Sequence, residues 1–386
     1  MAILLESLFN GISIGAVLLI AALGLAIVFG LMGVINLAHG ELIMLGAYAT
    51  FVTQNVFKGF GEPWFNFYII AALPLAFIVS GLMGLILEKG VIRYLYGRPL
   101  ETLLATWGVS LILRQFVRSV NWLLIIAIAV FAILYFGGMF LIKRRYQHIS
   151  NLIQGTILTL SIALATATGF LIQQQGQENL INPWFGTTNV DVTAPGWLRG
   201  GIPVGNFQIP MARIFIIVLT ILCILATYWF LNKSSWGLKI RSVTQNRTMS
   251  ACLGIPTEKV DALTFAIGSG LAGIAGCGIS LLGSVGPNTG QNYIIDTFMV
   301  VVVGGVGNLL GTILAALGIG ILNYLIGSGI LVIFIIDIAF LKPLVDILMF
   351  FANTSMARVL VFGLIIIFLQ IKPAGIFPPK GRNAQL

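Results

Sequence analysis

Long apolar stretches alternate with short polar ones along the whole chain, and their lengths predict membrane-spanning helices. The apolar stretches cover residues 8–31, 41–57, 66–87, 100–118, 121–142, 151–173, 211–231, 261–284, 294–326, 329–351 and 356–371. About 20 apolar residues cross a bilayer, so the pattern predicts about nine to eleven membrane segments. A β-barrel is not expected, because the stretches are continuous and do not alternate with polar positions.

A polar segment, Asn36-Leu-Ala-His-Gly-Glu41, separates the first two apolar stretches. An interruption of a helix, or a polar side chain, costs free energy inside a bilayer unless it lines a cavity or is buried in protein. The second half of the chain has similar glycine interruptions at Gly283–Gly290 and Gly304–Gly307. Because paired broken helices mark the binding sites of transporters, the sequence predicts an all-α polytopic bundle with broken helices that moves a solute.

The predicted solute pathway is lined by amides, hydroxyls, one imidazole and one carboxylate. The candidate residues are Asn36, His39, Glu41, Ser284, Asn288, Gln291, Asn292 and Thr297. The alternative for the first break is a structural turn, in which the polar groups only satisfy one another. A catalytic role for His39 is not expected, because no obvious base and nucleophile accompany it.

Composition narrows the class of protein further. Hydrophobic residues make up 58% of the chain and charged residues 9%, whereas soluble domains carry about 25% charge. The net charge of +9 resides mainly in short loops, which predicts contact with lipid headgroups and not with nucleic acid. The three cysteines and two histidines are scattered, so we expect neither a disulfide framework nor a metal site.

The distribution of lysine and arginine predicts how the chain is oriented. The loops 88–98 and 232–260, the Lys143–Arg145 cluster and the C-terminal tail are basic and are predicted to be cytoplasmic. The polar stretch 174–210 contains one basic residue, Arg199, and is predicted to be an external loop. We expect a single transmembrane domain over 1–386, with the charged part of 329–351 lying in the membrane interface.

The cytoplasmic loop 232–260 is predicted to contain a short amphipathic helix. Thr248–Leu253 can form this helix, which Gly254 and Pro256 would terminate. Such a helix either docks into a groove of a partner or lies on lipid headgroups. The candidate contact residues are Arg241, Gln245, Asn246, Arg247, Leu253 and Gly254.

Small residues recur every four positions after this loop, at Gly268, Ala272, Gly276, Ser280 and Ser284. They place a small-residue face on one side of a helix, which lets a second helix approach closely. The spacing therefore predicts helix packing and not a ligand site. Glycine runs such as Gly270–Gly273 follow no strand and precede no phosphate-binding lysine. No cofactor and no enzymatic activity are expected, and any ATP that drives transport would be bound by partner subunits.

Several motifs resemble those of permease subunits from branched-chain amino acid ABC importers. These motifs are Gly33–Glu41 with Met44–Tyr48, Arg241–Ile255 with Leu271–Gly276, Gly304–Gly307 and Lys372–Pro379. Finer details resemble the urea-importer permease of the same family, at Leu100–Gly108, Val243–Arg247, Val285–Tyr293 and Asp296–Val300. The resemblance covers most of the chain, apart from two additional apolar segments at 122–173 and the piece 329–351.

The resemblance implies a permease subunit in a bacterial inner membrane. It implies a second homologous permease, two ATP-binding subunits that contact the 232–260 loop, and an external solute-binding protein. The uncharged candidates for the pathway favour urea or a short amide as the solute, and a branched-chain amino acid is the alternative. A passive channel for urea, which needs no ATPase, is the alternative from another class. A membrane-embedded enzyme would need paired Asp or His on facing helices, whereas this chain offers scattered single groups.

Overall fold

The computed structural model of the protein describes residues 2–145, 151–174, 178–204, 207–330, 332, 345 and 349–377. Most of these residues are helical. The helices are α1 (Ala2–Met32), α2 (His39–Gly59), α3 (Tyr68–Gly90), α4 (Pro99–Ser119), α5 (Trp122–Arg145), α6 (Asn151–Gln174), α7 (Glu178–Ile181), α8 (Met211–Lys233), α9 (Ser235–Gln245), α10 (Arg247–Cys252), α11 (Thr257–Ser280), α12 (Thr289–Gly304), α13 (Leu309–Gly327) and α14 (Thr354–Ile371). Short 3-10 turns cover Trp64–Phe67, Ile92–Leu95 and Gly196–Leu198.

Within the described residues, 6 helices are long and apolar enough to cross a membrane. They are Glu6–Met32, Trp64–Gly90, Trp122–Met139, Met211–Lys233, Thr257–Ser280 and Leu309–Gly327, and shorter apolar helices cover Gly155–Leu171 and Ser355–Ile371. The predicted all-α polytopic fold is confirmed. The residues that motivated the interfacial prediction, Asp337, Lys342, Pro343 and Asp346, lie outside the described residues, as does the tail beyond 377.

The structure adds detail to two predicted segments, and the glycine interruption predicted at Gly304–Gly307 lies between two helices. The apolar stretch 294–326 is two helices, because the chain turns after Gly304 and Asn308 caps α13, its Oδ1 accepting from the Gly311 amide at 3.2 Å. The predicted external loop contains a small antiparallel hairpin, β1 (Gly201–Val204) and β2 (Phe207–Pro210), with Gly201 opposite Pro210.

The chain divides into two compact units. The first contains Met1–Leu111 with Val190–Leu386, and the second contains Ile112–Asn189. In the second unit, α5 and α6 pack together, and the Trp184 amide donates to the Val120 carbonyl at 2.9 Å. The additional apolar segments 122–173 fall inside this unit.

In the first unit, α1–α3 and α11–α13 form two three-helix sets that pack against each other reciprocally. Helix α11 lies against α1, α2 and α3, while α1 lies against α11, α12 and α13. In each set the first helix ends, a short non-helical segment follows, and the second helix begins at a buried residue. Because α1 is covered by several helices, Leu19, Ile20 and Leu23 at its centre are at most 2% exposed.

The small-residue face of α11 is at the centre of this packing. A methyl group on Gly268 would lie 2.7 Å from the Gly24 carbonyl oxygen of α1, and one on Gly276 would lie 2.7 Å from the Ala47 amide nitrogen of α2. The predicted packing role is confirmed at these positions, and Ala272 is fully buried between them. The prediction is wrong for Ser284, because α11 ends at Ser280 and Ser284 is exposed.

Candidate functional site

The first helix break lies inside the first unit, between α1 and α2. Asn36 forms a local turn here, its Oδ1 accepting from the Ala38 amide at 3.0 Å, as Asn side chains commonly do. Helix α2 then begins at His39. Asn36, His39 and Glu41 are 2%, 0% and 1% exposed. The structure therefore brings the three predicted residues of this break into one buried segment.

The imidazole of His39 connects this break to α1. Its Nε2 lies 3.0 Å from the Ala21 carbonyl oxygen, and because a carbonyl only accepts, Nε2 is the nitrogen that donates. His39 Nδ1 and Asn36 Nδ2 have no hydrogen-bond partner among the described residues. An unsatisfied buried polar group costs about 1–3 kcal/mol, so these two nitrogens are where the first break could accept or donate a further hydrogen bond.

Helix α4 supplies hydroxyl groups to the first break. Ser110 Oγ donates to Glu41 Oε1 at 2.9 Å, and the Leu37 amide donates to Thr106 Oγ1 at 3.2 Å. Sequence reasoning missed both residues. A signal was present, because Thr102, Thr106 and Ser110 are spaced four apart, which places three hydroxyls on one face of a helix. All three are buried.

The second break lies between α11 and α12. The Gly286 amide donates to Thr289 Oγ1 at 2.8 Å, and the Val190 and Val285 backbones exchange hydrogen bonds of 2.7 and 2.8 Å. Four predicted residues of this break are exposed: Ser284, Asn288, Gln291 and Asn292. Thr297 differs, since it is fully buried and its hydroxyl donates to the Tyr293 carbonyl at 2.6 Å within α12.

The two breaks meet where α2 and α12 begin. A methyl group on Gly290 would lie 2.9 Å from the Glu41 amide nitrogen and 2.6 Å from the Gly40 carbonyl carbon. A methyl group on Gly40 would lie 3.0 Å from the Ile294 Cβ. Backbone therefore touches backbone at this point, and only glycine fits at both positions.

The predicted cytoplasmic loop folds into α9 and α10, which together we call the coupling segment (Ser235–Cys252). Helix α10 confirms the short helix predicted there. Asn246 caps it, with Oδ1 accepting from the Met249 amide at 3.0 Å. Gly254 follows in the left-handed region at φ +80°, as expected for a residue that ends a helix. Helix α9 was not predicted.

Side chains of the coupling segment divide into an anchored set and an outward set. Arg247 pairs with Asp261 at 2.6 Å, and its guanidinium lies 4.7 Å from the ring centroid of Tyr96. Asn246 is occupied as the cap of α10. The remaining predicted contact residues are exposed: Arg241, Gln245, Leu253 and Gly254.

An ion-pair network that the sequence analysis missed lies beneath the coupling segment. Arg93 binds Glu88 at 3.3 Å and Glu258 at 3.0 Å, and Glu88 is fully buried. Burial, together with the charges of Asp261 and Glu88, raises the pKa of Tyr96, so its hydroxyl stays protonated and donates to Glu88 Oε1 at 3.4 Å. The network links the end of α3 to the start of α11.

Comparison with known proteins identifies this arrangement. Residues 7–369 match the family described as "Branched-chain amino acid transport system / permease component". The chain belongs to this family.

Its relatives in the family include bacterial and archaeal permeases. The high-affinity branched-chain amino acid transport system permease protein LivH of Escherichia coli (strain K12) is 26% identical over 380 residues, covering 96% of this chain and 94% of LivH. The corresponding protein BraD of Pseudomonas aeruginosa is 24% identical over 375 residues, covering 96% and 95%. The probable permease LivH of Methanocaldococcus jannaschii is 26% identical over 324 residues, covering 82% and 81%. No solved structure matches the chain.

Membership in the permease family makes this chain a transport subunit and a multi-pass protein of the cell membrane. Its homologues are permease components and not enzymes. The urea specificity suggested by finer motifs is not supported by these relatives and stays a prediction. The pathway and contact residues of both breaks and of the coupling segment also stay predictions, now with the geometry described above.

Proposed function

We propose that this chain is the membrane-spanning permease subunit of an ATP-driven importer of branched-chain amino acids. The observation that carries the proposal is the similarity to branched-chain amino acid permeases over nearly the whole chain. It favours the amino-acid alternative over urea. The assembly would contain a second homologous permease, two ATP-binding subunits and an external solute-binding protein.

The outward face of the coupling segment supports docking of an ATP-binding subunit. Leu238, Met249 and Leu253 are 61%, 59% and 75% exposed, and the exposed Arg241 and Gln245 lie among them in the sequence. Exposed apolar side chains with a polar surround are typical of helices that enter a groove of a partner. The coupling segment thus offers a partner both anchors and a polar rim.

The inward face of the coupling segment supports a route by which ATPase movement would reach the solute pathway. Ile240 and Val243 of α9 form a buried cluster with Val260, and Leu31 at the end of α1 packs against it. Helix α1 continues from Leu31 to the contact with α11 at Gly24. A displacement of the coupling segment would therefore move α1 and the first break together, which is a rigid-element route to alternating access.

Uptake of labelled leucine and labelled urea into a strain that lacks its own leucine and urea importers tests the proposed solute. We expect the chain, expressed with its partner subunits, to restore ATP-dependent leucine uptake and not urea uptake. Urea uptake without leucine uptake would overturn the proposal in favour of the first prediction. Uptake of either solute that persists without ATP would support the passive channel instead.

The variant Gly254→Val tests the coupling segment in the same strain. A side chain at φ +80° costs about 1–2 kcal/mol, and the added Cβ would meet nothing within 4 Å, so the strain stays local. We expect weaker co-purification of the ATP-binding subunit and lower uptake at unchanged membrane abundance. Gly186→Val is the matched control, since it has φ +62° and equally open space outside the segment.

A further inference from the structure

A cavity of about 320 Å³ lies in the first unit between α1, α8, α12, α13 and α14. Ligand sites commonly measure about 300–1,000 Å³, so this volume suits a small metabolite. One wall is apolar and contains Ile14, Val17, Leu18 and Leu282. None of the predicted pathway residues lines the cavity.

Charged groups of both signs line the same cavity, namely Arg213, Asp296 and Arg358. Asp296 is 4% exposed, and in the part of the chain that the structure describes it has no hydrogen-bond or ion-pair partner. Arg358 attracts its carboxylate through space. Ionisable residues within membrane helices are costly and mark functional sites by default. Because no ion pair joins these opposite charges among the described residues, both signs are available to a ligand in the cavity.

Neutral polar groups complete the lining. Ser13 is fully buried, and its Oγ, like Asn323 Oδ1, has no hydrogen-bond partner within the described ranges. Asn10 holds the Arg213 guanidinium through its Oδ1, while its Nδ2 donates to the Tyr324 hydroxyl at 2.8 Å. Arg213 is thus fixed at the wall, and unsatisfied groups remain for a ligand to bind.

We propose that this cavity binds a small zwitterion with an aliphatic side chain. The ligand's carboxylate would lie towards Arg213 and Arg358, its ammonium group towards Asp296, and its side chain against Ile14 and Val17. Guanidinium groups bind carboxylates with strong, charge-assisted hydrogen bonds. Neutral urea offers no charge to either side. The inference rests on the proposed function in taking an amino acid as the ligand, although a zwitterionic phospholipid headgroup carries the same two charges.

Binding to the purified, intact transporter complex tests the charge assignment. The probes are L-leucine, leucinamide, which lacks the carboxylate, 4-methylpentanoate, which lacks the ammonium group, and urea, each measured by calorimetry. We expect leucinamide and 4-methylpentanoate to bind about tenfold or more weakly than leucine, because each loses a charge-assisted interaction. Urea that binds as tightly as leucine would overturn the proposal.

Two variants assign each charge to its partner. Asp296→Asn should weaken leucine about tenfold and leave 4-methylpentanoate unchanged. Arg358→Gln should weaken leucine similarly and leave leucinamide unchanged, and it is the safer variant because Arg358 is exposed. Arg98→Gln is the matched control, since Arg98 pairs with Glu101 at 3.1 Å away from the cavity. Variants that bind leucine as the wild type does, or lose both analogues equally, would overturn the proposal.

Two further measurements distinguish an amino acid from a lipid as the ligand, and the cavity proposal from the proposed function. Release of bound leucine by phosphatidylethanolamine but not by phosphatidylglycerol would support a zwitterion site and assign it to lipid. Leucine uptake is measured for the same variants in the strain described above. Normal leucine uptake without the expected binding pattern would overturn the proposal for the cavity and leave the proposed function standing. Absence of leucine uptake by the wild type would overturn the proposed function.

Discussion

The two helix breaks both contain glycine and polar residues, and their surroundings are opposite. At the first break, Asn36, His39 and Glu41 are at most 2% exposed, and α1 and α4 supply hydrogen-bonding partners. At the second, Ser284, Asn288, Gln291 and Asn292 are exposed, although backbone bonds between Val190 and Val285 secure the loop. Polar segments with glycine therefore form a buried turn in one half of the chain and an exposed turn in the other.

Because the two breaks differ in burial, substitutions at them should have different effects. Where polar groups are buried and bonded to protein, their loss should first lower the amount of folded protein. Where they are exposed, their loss should change solute movement with little effect on folding. Asp296 of α12 belongs to neither group, since it is buried and lines the cavity.

The contact that joins the two breaks should be the most sensitive to substitution. Gly290→Val places a branched side chain against backbone of Gly40 and Glu41, which cannot move aside, and should destabilise the fold by about 3 kcal/mol. We expect little folded protein by size-exclusion chromatography of membrane extracts. Gly283→Val is the control within the same break, since its Cβ would meet nothing within 4 Å. Equal abundance of both variants would contradict the contact.

Removing one hydroxyl should distinguish the structural from the pathway interpretation of the first break. Ser110→Ala removes a hydrogen-bond donor from the Glu41 carboxyl group, a loss of about 1 kcal/mol. We expect lower membrane abundance and unchanged leucine uptake per folded molecule. Asn288→Ala, at the exposed break, should show the reverse. Normal abundance with reduced uptake per molecule for Ser110→Ala would assign the first break to the pathway.

Cysteine labelling should perturb the protein least, and it compares the exposure of the two breaks directly. Cys252 is the exposed native cysteine, while Cys223 and Cys277 are buried. The substitution Cys252→Ser therefore removes the native thiol that would react with the label. A membrane-impermeant maleimide added outside should modify Asn288→Cys and leave Asn36→Cys unmodified. Modification of Asn288→Cys only from the cytoplasmic side would contradict the predicted orientation. Equal labelling of both would remove the distinction between the breaks.

Local features of this chain were predictable, and contacts between distant residues were not. Hydropathy predicts the long helices because about 20 apolar residues suffice for a crossing. The stop at Gly254 and the break at Asn36 are similarly local. The bond from Ser110 to Glu41 joins residues 69 apart in sequence, and no pattern within either segment specifies the other. The Arg247–Asp261 pair and the cavity likewise depend on how helices pack.

The candidate solute shows the same limit in chemical terms. The amides and hydroxyls at the breaks predict a neutral ligand. The cavity instead brings together three charged residues from three helices, Arg213, Asp296 and Arg358. A single acidic residue in the apolar run of α12 was a usable signal, because membrane helices rarely tolerate one without a function. Its partners could be found only from the fold.

The close approach of Gly24 to Gly268 also has a consequence for biosynthesis. Helix α1 is synthesised before its partner α11, which follows about 240 residues later in the chain. At about 5–20 residues per second, that delay is about 12–50 s. During this interval Gly24 of α1 and Gly46 of α2 lack the helix that packs against them in the folded protein. Newly made chains should therefore depend on an insertase or chaperone for that period, and ribosome stalling before residue 268 should expose them to membrane proteases.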